Sequence, residues 1–163
     1  MNQAKNCAEG TNSPVHDYVA DHGRAISKTD LEQASIAGHE VTLSKDVTAD
    51  ERALIENAIQ ATRPETKACF GNAYSLWEYD TRFKYTEGVA VMADLSLDGI
   101  NHAWSMLDGT KLVDPTAPLD DYYGVVIEDE TISQLSEAVS PAHGIISNHK
   151  NRFEFLRERG YVE

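Results

Sequence analysis

Cysteine is nearly absent from this chain: Cys7 and Cys69 are the only two in 163 residues. That is too few for a disulfide-built scaffold. No run of about 18 apolar residues occurs, which excludes a simple membrane-spanning helix, and residues Met1 to Ala20 are polar and contain no secretory leader. Both thiols are therefore expected to be free, in a reducing compartment. Positive charge is scarce as well. The 14 Lys and Arg stand against 27 Asp and Glu, for a formal net charge of −13, which argues against nucleic acid or an anionic membrane as a partner. Also lacking are a glycine-rich phosphate loop, an internal repeat and paired metal-ligand spacing. His16 with His22, and His143 with His149, miss the i, i+4 interval, so neither a metal nor another cofactor is expected.

What is present suffices for one folded domain, since a chain of this length buries roughly 70% of its unfolded surface. Residues 1–27 form a polar arm with few apolar positions, expected to be extended and available to an assembly partner. Residues 28–163 form the single domain. Thr29-Asp30-Leu31-Glu32 has capping-box spacing and predicts a short helix to Gly38. Thr48-Ala49-Asp50-Glu51 opens a firmer helix with Leu54, Ile55, Ala58 and Ile59 on one face, stopped before Pro64. Thr66 is the expected cap of a third helix carrying Cys69, Ala73, Leu76 and Trp77 at helical spacing. Four β-rich stretches follow, Phe83–Met92, Asn101–Leu107, Lys111–Thr116 and Tyr122–Ile127, and read as an antiparallel sheet. A box at Thr131-Ile132-Ser133-Gln134 predicts a helix ending by Pro141, and a last helix with Phe153 and Leu156 ends near Gly160. The class is α+β.

Three residues carry chemistry. A thiol in the first turn of a helix meets unpaired amides with partial positive charge, which favours the thiolate, so Cys69 is the candidate nucleophile, while Cys7 in its polar stretch reads as incidental. His102 is the candidate base and Asp114 the group that orients it. Strand alternation makes this testable. A plain two-residue turn at Asp108-Gly109 would pair Leu107 with Thr110 and put Asp114 opposite Ala103, on the wrong face. A three-residue loop or a bulge pairing Leu107 with Lys111 puts Asp114 across from Trp104 and diagonal to His102. An active trio requires the irregular hairpin. Between Glu78 and Glu130 lie twelve acidic and three basic residues, a bias toward cationic or neutral substrates if the fold gathers them near the thiol, and otherwise a source of solubility.

Cys69-Phe70-Gly71-Asn72-Ala73, Asn101-His102-Ala103-Trp104 and Val113-Asp114-Pro115-Thr116 resemble the Cys, His and Asp motifs of transglutaminase-like proteins of the papain-like cysteine superfamily. The similarity runs from about Pro64 to Ile127. It implies a helix carrying the nucleophile packed on a small antiparallel sheet carrying His and Asp. The implied activity is acyl transfer or amide hydrolysis on a protein or peptide amide, by a peptidase, deamidase or cross-linking enzyme. Such relatives often place a glutamine six residues before the nucleophile to hold the oxyanion, where this chain has Arg63. Asn72, one turn along the helix, is the side-chain alternative. Trp104 and Glu87 are candidates for substrate contact. The competing expectation is a non-catalytic structural or interaction protein, such as a virion component, that keeps the fold, because small proteins of this kind also resemble ones encoded by viruses of microbes. The expected location is accordingly the cytoplasm or a virion.

Overall fold

The structure is a computed structural model that describes residues 2–92, 99–136 and 143–163. The class is α+β. A curled antiparallel sheet of seven strands runs in the order β1-β7-β4-β5-β6-β3-β2. The strands are β1 (Arg24–Ile26), β2 (Leu31–Ile36), β3 (His39–Ser44), β4 (Phe83–Val91), β5 (Ile100–Leu107), β6 (Lys111–Asp114) and β7 (Asp121–Val126). The described residues also form helices α1 (Gln3–Gly10), α2 (Pro14–His22), α3 (Ala49–Thr62), α4 (Cys69–Tyr79), α5 (Asp129–Ser136) and α6 (Glu154–Glu158). No helix among them is long and apolar enough to cross a membrane.

Strand alternation sorts the core into two sides. One face carries Phe83, Leu107 and Val113 against Ile55, Ile59 and Leu76 of α3 and α4. Farther along the same face, Tyr85 and Ala103 meet Ala73 of α4, and Val89 and Tyr123 meet Ala4, Ala8 and Val19 of α1 and α2. Each fully buried Ile or Leu in such a layer contributes about 1.5–3 kcal/mol. The other face is the inside of the curl, where Leu31, Ala90, Trp104, Met106, Leu112 and Tyr122 pack on one another.

Local rules explain part of this. Thr48 Oγ1 accepts from Glu51 N at 3.2 Å and the Glu51 carboxylate accepts from Thr48 N at 2.8 Å, a complete capping box. The helix so opened, α3, closes at Arg63, which is left-handed at φ 50 just before Pro64.

Three expectations are corrected. Residues 2–26 are not an extended arm: Asn2 and Ser13 cap α1 and α2, Pro14 occupies the first turn, and β1 is an edge strand of the sheet. Cys7 is half-buried in α1, where its sulfur accepts from Gly99 N at 3.2 Å. The box at Thr29 opens no α-helix. Lys28–Asp30 is a single 3-10 turn, and β2 then pairs along its whole length with β3 around Ala37 and Gly38, both at positive φ. Helix α5 begins at Asp129, whose carboxylate takes Trp77 Nε1 and Lys84 Nζ, each at 2.9 Å, so Thr131 lies inside its first turn. The helix end expected by Pro141 lies outside the described residues.

Candidate active site

Helix α4 starts at Cys69 itself. Thr66 is not its cap, because Lys67 turns into the left-handed region at φ 63 and the N-cap falls on Ala68, which has no capping side chain. The amides of the first turn are thus left to the half-buried thiol and to whatever docks there.

The β5–β6 hairpin positions the other two groups. Asp108 and Gly109 both have positive φ, and Thr110 N donates to Leu107 O at 3.1 Å, the tight turn that an Asp-Gly pair favours. Yet Leu107 pairs with Lys111, Met106 with Leu112 and Ser105 with Val113, so Thr110 is an extra residue on the β6 side. That bulge turns Asp114 onto the His102 face. The imidazole Nε2 and the Asp114 carboxylate are 2.8 Å apart, with 3% and 0% of the two side chains exposed. Nε2 being engaged, Nδ1 is the nitrogen left for the thiol.

Two residues that the motif reading did not single out complete the carboxylate's shell. Tyr122 Oη donates to Oδ2 at 2.7 Å and Thr116 N donates to Oδ1 at 2.9 Å. The Thr116 contact is an Asx-turn, which an Asp-Pro-Thr triplet can signal. Tyr122 comes from β7, and no local pattern announces it. Above the pair, the Trp104 indole stacks on His102 with ring centroids 5.9 Å apart and planes at 25°, and meets Tyr122 edge-on at 5.0 Å.

Electrostatics follow from this enclosure. Burial alone would discharge the imidazole. The Asp114 carboxylate outweighs it by charge and hydrogen bond, with Cys69 adding a hydrogen bond and a smaller charge effect, and His102 is raised from 6.5 to about 10. At neutral pH the ring is an imidazolium beside the sulfur. Burial and the adjacent Asp114 charge likewise hold the Tyr122 phenol protonated far above its usual range, as a hydrogen-bond donor.

Three sequence candidates have other roles. Asn72 is not an oxyanion donor: its Nδ2 donates to Glu65 O at 2.8 Å and to Thr116 Oγ1 at 2.9 Å, and its Oδ1 accepts from Glu65 N at 2.9 Å. It ties the loop before Cys69 to the loop after Asp114. Asn72→Ala should therefore lower stability by about 2–4 kcal/mol, since it removes three part-buried hydrogen bonds, while thiol alkylation measured on folded protein should change little. Glu87 does not face solvent or a cationic substrate, being 2% exposed and engaged by a backbone segment described below. Trp104 is 1% exposed, and the cavity of about 260 Å³ that it borders has neither Cys69 nor His102 in its wall. Among the described residues its Nε1 has no hydrogen-bond partner. Its role is packing on the imidazole. Arg63 serves as the C-cap of α3.

Comparison of the chain with protein-family models, curated proteins and solved structures finds no match.

Proposed function

We propose that the protein is a cysteine-dependent acyl transferase or amide hydrolase of the papain-like, transglutaminase-like kind, acting on a protein or peptide amide. The observation that carries this reading is the buried His102, hydrogen-bonded to Asp114 at 2.8 Å and raised to about 10 by that carboxylate with a smaller contribution from Cys69. The chain order of nucleophile at a helix start, base on one strand and orienting carboxylate on the next is the order that the resemblance implies.

In this scheme the Cys69 thiolate attacks the carbonyl carbon, and the C=O pair moves onto oxygen next to the uncapped amides at the start of α4. Collapse breaks the C–N bond, and the His102 imidazolium gives its proton to the departing amine. Water or an acceptor amine then loses a proton to His102 and attacks the thioester, which returns the thiolate. Asp114 keeps the ring oriented throughout, fixed in turn by Tyr122 and Thr116.

Iodoacetamide at about pH 6 should modify Cys69 at least tenfold faster than Cys7, and His102→Ala should remove the difference. Trapping from glutamine-containing peptides should leave an acyl mass on Cys69. Equal labelling of the two cysteines in the wild type would instead favour a non-catalytic structural protein.

A further inference from the structure

Glu87 is a buried carboxylate that the scheme above leaves unused. It lies on β4 opposite Ala103, on the face covered by helices. Its oxygens accept from Tyr85 Oη at 2.6 Å, from the amide of Ile145, from the amide of Ile146 at 3.0 Å, and from the amide and hydroxyl of Ser147 at 3.2 and 3.4 Å. Three consecutive amides converging on one carboxylate form an anion nest, here closed by the chain on itself across 58 residues. A carboxylate 2% exposed is tolerated only with such charge-assisted partners.

The segment it holds bears on the nucleophile. A Cβ added at Gly144, itself at φ 82, would lie 2.9 Å from the ring of Phe70, the residue after Cys69. Ile145 and Ile146 are buried with Ala73 and Tyr85, and Phe70, Tyr74 and Trp77 of α4 pack on the same cluster. Asn148 Nδ2 donates to Gly144 O at 2.9 Å and secures the far end. Tyr85, which donates to Glu87, lies within electrostatic reach of Cys69.

Resting on the acyl-transfer reading, we infer that Glu87 is a positioning residue: it latches residues 144–147 onto the first turn of α4, so that Phe70 is braced and the Cys69 sulfur is held against His102. Glu87 touches no reacting atom. Its action passes through the nest, the glycine backbone and the Phe70 ring to the adjacent sulfur.

The test uses the full chain with Glu87→Gln, which keeps the shape and one carbonyl acceptor. Amide exchange at Ile145, Ile146 and Ser147 should speed up about tenfold as the charge-assisted bonds weaken. The acylation burst with p-nitrophenyl acetate should slow about tenfold with KM unchanged, because sulfur placement and not ester binding is altered. Gly144→Ala keeps the Glu87 side chain but, at φ 82, sets a Cβ 2.9 Å from the Phe70 ring and 3.2 Å from Glu87 Oε1; it disturbs the same latch from the glycine side and should slow the burst likewise should Glu87→Gln fail to fold. A wild-type burst matched by Glu87→Gln, or by Gly144→Ala where Glu87→Gln does not fold, overturns the inference and leaves the acyl-transfer reading standing, as does unchanged exchange at residues 145–147. A wild type with no burst at all overturns both.

Discussion

Asp114→Asn should slow the reaction of Cys69 with iodoacetamide near neutral pH by about a hundredfold, and acylation by about a thousandfold or more, while leaving the domain folded. The orientation of the new amide decides this. Thr116 N–H can only donate, so the carbonyl oxygen must stay at the Oδ1 position, 2.9 Å away, and the NH2 falls on His102 and Tyr122. The imidazole must then offer a lone pair from Nε2 and carry its proton on Nδ1, facing the sulfur. A ring in that tautomer cannot take the thiol proton. The counter-charge is lost as well, so burial is opposed only by the smaller effect of Cys69 and the ring discharges.

The same substitution should flatten the pH dependence of stability. His102 is raised from 6.5 to about 10 on folding, so the native state holds a proton that the unfolded chain releases. The resulting stabilisation is fully present below about pH 6.5 and is lost as pH rises through about 10. It amounts to at most about 5 kcal/mol. Urea melts of the wild type between those limits should show ΔG falling with pH, and Asp114→Asn should not follow.

Much of the His102–Asp114 pairing is legible in the sequence because its determinants are local. Leu107 and Lys111 flank a turn whose length is fixed by which face Asp114 must share with His102, and the bulge at Thr110 supplies the extra residue. Thr48 and Glu51 cap α3 with atoms four residues apart or fewer. The identical Thr-x-x-Glu spacing at Thr29 misleads because Leu31–Ile36 finds a partner strand, and a ladder of pairs with His39–Ser44 outweighs one cap. The turn there is Ala37-Gly38, without the Asn or Asp that signals a tight hairpin. In the N-terminal segment the apolar positions are few and small, Ala4 and Ala8 in α1, Val15 and Val19 in α2, yet they stand four apart. Ser13-Pro14 is a helix start in its own right. Composition hid what spacing contained.

Glu87 shows the opposite limit. Besides the Tyr85 and Ser147 hydroxyls, its partners are backbone amides 58 to 60 residues away, and an amide carries no side-chain signature to read. Asn72 misleads for a related reason: one turn from Cys69 it looks available, and only the fold reveals that Glu65 and Thr116 consume its amide. Distance from Cys69 in sequence was a poor guide to which polar groups are free.

Gly88→Ala should be the most destabilising small substitution near the site, costing about 3 kcal/mol or more and lowering Tm by about 6–12 °C. Gly88 lies opposite His102 on one side and Gly124 on the other, the point where β5, β4 and β7 run side by side. A Cβ at Gly88 would overlap the carbonyl oxygen of Tyr123 and come within 2.5 Å of the Gly124 Cα, so backbone must move, not a side-chain tip. Gly124 has its own constraint: a Cβ there would meet Cη2 of Trp104 at 2.5 Å, the indole that stacks on His102. The two glycines thus let β4 and β7 approach closely enough for the indole to lie across them and hold the imidazole over Asp114. Parting these strands should cost reactivity as well as stability, and iodoacetamide labelling of Cys69 well below the lowered Tm should slow with it. Gly71→Ala is the control, since among the described residues a Cβ there meets nothing within 4 Å and Gly71 sits inside α4. It should raise stability by about 0.5–1 kcal/mol, so a loss of labelling in Gly88→Ala that Gly71→Ala does not share would trace to strand spacing at the His102 row.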